Sequence, residues 1–285
     1  MTAWRTYSLA MAGTLCLGLY LFASAPPPLP DVDQTAQQGC LRPVGQLFDS
    51  VNAINQAARD VYTRDIVGPG LKSGLRFDED WQQPAVEAGP LPALFLRLTS
   101  AKLEAMPIRL SLYLGSDAPI NKSNLFDEVQ LQQFRAMKDS REPVFATQDG
   151  FGQIAMYPDI AAAAPCVTCH NEHRDSPKVN WALNDVMGAT TWVYPDEMVG
   201  ADHYVAAVEA TFQAVSLAYE DYLIKAAGFA KPLQPGSDWP GAATGTQQAV
   251  LPDSETFMKR VRLTAGPALA AGLLPLTQAE DKCKP

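Results

Sequence analysis

The chain has 285 residues, 47% of them hydrophobic and 19% charged, and carries a formal net charge of −9 from 31 acidic and 22 basic side chains. That length suffices for one packed globular domain with attached helical elements. The acidic balance and the lack of any lysine or arginine cluster argue against nucleic-acid binding, and no repeat of solenoid period occurs.

The first element is an uncharged, mostly apolar stretch from Tyr7 to Ala25, preceded by Arg5 and followed by Pro26-Pro27-Pro28, Asp31 and Asp33. It is long enough to cross a bilayer as one helix, and the positive flank places the N-terminus inside. It reads as a retained anchor; the alternative is a signal peptide cut after Ala23-Ser24-Ala25, with Pro26 an unfavourable residue beyond the cut. Residues 1–30 are therefore assigned to this segment and its Pro-rich linker, with the bulk of the chain exported.

A helix is predicted from about Pro43 to Ile66, where Leu47, Val51, Ile54, Ala58 and Val61 alternate steps of four and three. Gly68-Pro69-Gly70 should stop it. A second helix is expected over 91–104, then a strand over 108–114 (IRLSLYL). A third helix is expected over 124–137 with Asn124 as N-cap. Pro143 to Thr147 and Gly152 to Tyr157 should form a hairpin around Asp149-Gly150, a pair suited to the positive φ of tight turns.

The loop after Pro158 carries the most informative residues, Cys166-Val167-Thr168-Cys169-His170. C-x-x-C-H is the attachment sequence of a c-type haem. Two thiols three positions apart can add to the two vinyl groups on one porphyrin edge, and the following imidazole can ligate the iron. A zinc site from Cys166, Cys169 and His173 is the competing reading. One covalent haem c is expected, with His170 as proximal metal ligand. Such attachment takes place outside the cytoplasm, which agrees with the leader and implies a periplasmic protein. Of the five cysteines, Cys16 lies in the apolar stretch, leaving Cys40 and Cys283 as a disulfide pair or as two free thiols.

Beyond the motif, 187–194 (MGATTWVY) reads as a strand. A long helix follows over 202–227, with Val205, Val208, Phe212, Val215, Tyr219, Tyr222 and Ala226 at three-four spacing. The tail is Pro-rich, with a short helix near Asp253 to Leu263. The fold class is α+β: an antiparallel sheet near 90–195 with helices on one side. The 43–66 and 202–227 helices are expected to pack together as a stalk, any surplus apolar face serving a second copy or a membrane partner. The haem c domain spans 31–200, and 201–285 form the C-terminal helix and loop-rich tail.

The segment from Cys166 to Pro195 resembles the PAS-like haem c sensor domains of bacterial chemoreceptors, histidine kinases and cyclases. The resemblance rests on Cys166, Cys169, His170, Asn171, His173, Ser176, Pro177, Lys178, Trp181, Asp185, Val186, Gly188 and Ala189, and extends more weakly over 45–195. It implies a PAS-like antiparallel sheet carrying the haem. Asn180 stands where that family has Asp before Trp181, and Asn184 where it has Gly before Asp185. Those sensors commonly continue through a second membrane helix to an output module, whereas this sequence ends first, so an output partner is expected.

The sixth iron ligand is left open. Met156 and Met187 on the flanking strands, and His203 at the start of the long helix, are candidates. Some relatives supply a cysteine from the N-terminal helix, and the resemblance places Tyr62 at that position, as pocket lining or ligand. Tyr157, just before the haem loop, is expected near the porphyrin edge, and Lys178, with Arg109 and Lys122 as weaker candidates, near the propionates. Three functions follow: a module sensing redox state or a small ligand at the haem and reporting through a partner, an electron-transfer subunit docked to a membrane complex, or a haem enzyme. The last lacks a distal His–Arg pair, and the first is preferred.

Overall fold

The computed structural model describes residues 41–150, 152–230, 235–236 and 251–279, all within one unit, Cys40–Lys284. The apolar segment 7–25, its cleavage site, and both Cys40 and Cys283 lie outside the described residues. Among those residues no helix is long and apolar enough to cross a membrane.

The fold is α+β and centres on four antiparallel strands: β1 (Ser111–Gly115), β2 (Val144–Gln148), β3 (Gly152–Ile160) and β4 (Val186–Tyr194), in the order β1-β4-β3-β2. β2 and β3 form the expected hairpin, with Gln148 opposite Gly152 and Gly150 at φ +79°. Alternation along the strands sorts two faces. Leu112, Ala155, Tyr157, Trp192 and Tyr194 face one side, and Met156 and Ala189 the other. An irregularity between Asp159 and Ile160 shifts the register and brings Val186 onto the second face.

Six principal helices surround the sheet: α1 (Val44–Val61), α2 (Pro92–Glu104), α3 (Glu128–Ser140), α4 (Ala164–Glu172), α5 (Ala201–Ala227) and α6 (Ser254–Ala279). α1 and α5 run side by side in the same direction, joined early by the Ser50–Tyr204 hydrogen bond and late by the Tyr62 and Tyr222 rings, 6.3 Å apart. Their first halves (Val44, Leu47, Phe48, Val51; Tyr204, Ala207, Ala210, Ala214) cover the sheet. Their second halves extend past it and pack with α2 and α6 through Ile54, Val61, Tyr62, Phe95, Val215, Tyr219, Tyr222, Phe257 and Val261. The two stripes thus serve both sheet and helix cluster, rather than a separate stalk, while Val205 at the head of the heptad pattern is 53% exposed.

Four expectations are corrected. Helices cover both faces of the sheet, not one: α3, with Phe134 and Met137, buries Met156 from the second face. The first helix does not stop at Gly68. It passes through a π-helical stretch, Tyr62–Val67, into a short helix Gly68–Lys72. Pro69 falls in the first turn of that new register, where a missing N–H leaves no bond unmade. α3 starts at Glu128 because Asp127, not Asn124, makes the cap. Its carboxylate accepts from Gln130 N at 2.8 Å and its own N–H donates to Gln130 Oε1 at 3.0 Å, a reciprocal capping box. Asn124 instead closes a 3-10 turn, Lys122–Asn124. Finally, the last helix is much longer than 253–263, because Phe257, Met258, Val261 and Ala265 bury against α1 and α5 and hold it through Pro267.

Asp65, in the π-helical stretch, ties α1 to α6: its carboxylate accepts from Arg64 Nε at 2.8 Å and from Arg260 Nη1 at 3.0 Å. Burial alone would raise its pKa, but the hydrogen bonds and charges of the two guanidinium groups outweigh burial and hold it below the ordinary carboxylate value. A depressed folded pKa stabilises above the unfolded value and loses that contribution as pH falls through it. Asp65→Asn is therefore expected to cost about 1 kcal/mol at pH 7, with parent and variant converging below about pH 4. Urea unfolding at the two pH values checks this; a difference that persists at low pH would contradict it.

Candidate haem-attachment site

The Cys166–His170 motif lies on helix α4, not on a loop as expected. Pro165 sits in the first turn, where helices accept proline, and the alanines before it offer no competing side-chain bonds. His173 ends the helix, its N–H donating to Cys169 O at 2.9 Å. Helical geometry gives the spacing its meaning. Cys166, Cys169 and His170 stand at i, i+3 and i+4 and so share one helix face. Cys166 is half-buried, Cys169 exposed, and neither is disulfide-bonded.

The segment from β3 to β4 is pinned at its neck by backbone bonds Ala161 N to Asp185 O (2.9 Å) and Asn184 N to Ala161 O (3.0 Å). Asn184 adopts φ 68°, the left-handed conformation that glycine supplies most cheaply and asparagine tolerates best among L residues. This accounts for Asn at a position where the resembling domains carry Gly. Arg141, itself at φ 61°, donates to Asn184 O at 2.8 Å. Within the segment, Asn171 clasps the backbone of Trp181, its Oδ1 accepting from Trp181 N at 2.7 Å and its Nδ2 donating to Trp181 O at 2.9 Å. The buried Trp181 ring meets the His170 ring edge-on at 6.4 Å.

Burial, and then His173, lowers the pKa of His170, so the imidazole is neutral at pH 7 with a lone pair free for a metal. Its buried Nδ1 has no hydrogen-bond partner. Partial burial, and then the Glu79 carboxylate, raises the Cys169 thiol, so it stays protonated. Accessible thiols and a neutral imidazole on one face fit covalent haem attachment. Among the described residues no three or more His, Cys, Asp and Glu side chains gather as a metal-ion site; His173 Nε2 instead lies 3.6 Å from Glu79 Oε2.

The other candidates are dispersed. Tyr157 is buried on the face covered by α1 and α5, its hydroxyl donating to Asp49 at 2.7 Å. Tyr62 lies in the helix cluster, stacked on Phe95 at 4.3 Å with its hydroxyl donating to Pro90 O at 2.7 Å. Met156 is fully buried on the α3 face, and Met187 is half-buried beside Gly188 at the motif end of β4. His203 is exposed at the start of α5, past the other end of the nine-residue β4. Lys178 Nζ lies 3.6 Å from the Trp181 ring centroid and 3.8 Å from Asp185. Arg109 pairs with Asp196 at 2.7 Å beyond the far end of β4, and Lys122 is exposed.

Sequence reasoning missed a linkage at the root of the segment. Arg59 of α1 forms an ion pair with Asp159 Oδ1 at 2.6 Å and donates to Thr190 Oγ1 at 3.0 Å, and Thr190 donates to Asp159 at 2.8 Å. It joins α1 to the last residues of β3 before the haem segment. No local pattern could have announced it, because Arg59 and Thr190 are 131 positions apart.

Compared with known proteins, residues 42–195, more than half of the chain, match the family model described as Tll0287-like (Tll0287). No curated protein and no solved structure matches.

Proposed function

The chain belongs to the Tll0287-like family, and from that premise we propose that it is a periplasmic, PAS-like mono-haem c protein. It senses redox state or a small ligand at the haem and passes the state to a partner. The observation that carries this reading is the α4 face. Cys166 and Cys169 present free thiols and His170 a neutral imidazole, at the spacing that two thioether bonds and one iron ligand require. Bound there, the haem supplies one-electron chemistry and an iron coordination position.

This chain's own residues do the rest. The Asn171 clasp and the Ala161–Asp185 neck hold α4 at the end of the sheet, so that imidazole and thiols keep fixed relative positions. The Arg59–Asp159–Thr190 linkage connects that end to α1. In this reading residues 1–30 anchor the protein to the inner membrane, and α1 is the element through which a partner reads the haem domain.

The test is spectroscopic. Protein made in a host that attaches haem c should show one haem per chain in a pyridine haemochrome assay after denaturation and organic extraction. The ferric form should be high-spin, and the ferrous form should bind CO rapidly. A low-spin spectrum indifferent to CO would instead identify an electron-transfer subunit, and absence of covalent haem would overturn the reading.

A further inference from the structure

Trp181 is placed to do more than fill space. It is 4% exposed, although the segment that carries it is largely exposed. Its backbone is held on both sides by the side chain of Asn171, the residue that follows His170. Its ring stands edge-on to His170, at 6.4 Å between centroids and 88° between planes. Two ammonium groups lie over the same ring, Lys178 Nζ at 3.6 Å and Lys138 Nζ at 5.7 Å from its centroid. Each lysine also has a carboxylate: Asp185 at 3.8 Å from Lys178, and Asp117 at 2.9 Å from Lys138. The Trp181 Nε1–H is buried with no acceptor, so no hydrogen bond of the indole explains why the ring is held there.

We propose that Trp181, loaded by Lys178 and Lys138, is the positioning residue for the His170 imidazole and raises the reduction potential of the attached haem. The claim rests on the haem reading above. An aromatic ring with cations over it is polarised toward them, and positive charge close to an iron ligand in a partly buried site disfavours the more positive ferric state. Orientation is the second part. A ligating imidazole is held by its outer contacts, and His170 Nδ1 makes no hydrogen bond, so the perpendicular packing of the Trp181 ring is the contact that we assign to hold its plane.

The experiment uses the haem-loaded full chain and reads three quantities: covalent haem per chain, reduction potential by spectroelectrochemical titration, and the ferric and ferrous absorption spectra. Lys178→Met, at a side chain 30% exposed, should move the potential of the haem-loaded protein to more negative values with the melting temperature near wild type; Lys178→Arg should keep the wild-type potential. Trp181→Leu should change the absorption spectra as well as the potential, while Trp181→Phe, which keeps an aromatic edge, should retain the wild-type spectra. If Trp181→Leu fails to fold, the Lys178 pair still decides. An unchanged potential in Lys178→Met with haem fully attached overturns the proposal and leaves the haem reading intact. A wild-type protein without covalent haem overturns both.

Discussion

Alanine at both Cys166 and Cys169 is expected to abolish haem staining on a denaturing gel while leaving the fold in place. The effect should be all or none, because covalent attachment has no other thiols on the α4 face. The structural cost should be small. Neither cysteine belongs to a core cluster, Cys169 is exposed, and a short helix accepts alanine more readily than any other residue. Each single variant retains one thiol and should keep a reduced share of covalent haem. Far-ultraviolet circular dichroism of the double variant should match the wild-type protein stripped of haem contributions. Staining that survives the double substitution would refute the assignment of the motif.

Trp192→Ala is expected to produce the largest loss of stability. The ring is fully buried on the sheet face beneath α1, among Leu47, Phe48, Val51, Ala155, Tyr157 and Tyr194, and its Nε1–H donates to Asn52 Oδ1 at 3.2 Å. Removing a buried aromatic side chain of this size costs about 3–5 kcal/mol, transfer and cavity together, against a total of about 5–15 kcal/mol for a domain. The variant should unfold at a much lower urea concentration, or fail to accumulate. Val129→Ala, at a residue 53% exposed on α3, should change stability by no more than about 0.5 kcal/mol. Equal urea midpoints for the two variants would mean that the sheet face is packed differently.

Much of this was legible in the residues. The three-four stripes of α1 and α5 mark helices that are buried along most of their length, and the Thr- and aromatic-rich run over 187–194 is β4. Asp149-Gly150 marked the hairpin because positive φ is a local property of the chain. The spacing of Cys166, Cys169 and His170 marked the candidate site because the chemistry proposed for it depends on three residues close together in the chain. Asn184 could be read as a substitute for glycine for the same reason.

What failed were choices between local alternatives, most of which distant partners decide. The cap of α3 is the exception: Asn124 and Asp127 both have capping side chains, and Gln130, three residues after Asp127, selects the second through a reciprocal box that the local sequence already carries. Gly68-Pro69-Gly70 reads as a stop, yet the helical path passes through it, with Ile66 and Val67 buried just before it and Gly70 buried within it. The tail reads as loop-rich until α1 and α5 give Phe257 and Val261 a surface to bury against. By itself, then, the sequence determined the helix and strand identities set by periodicity, and the residue pattern on which the proposed haem chemistry rests, since both follow from residues close in the chain. Tertiary structure alone decided which faces of the sheet are covered, where helices end, and that Arg59 meets Asp159 and Trp181 meets His170. Those contacts join residues that no local pattern relates, and each exists only because burial elsewhere brings its partners together.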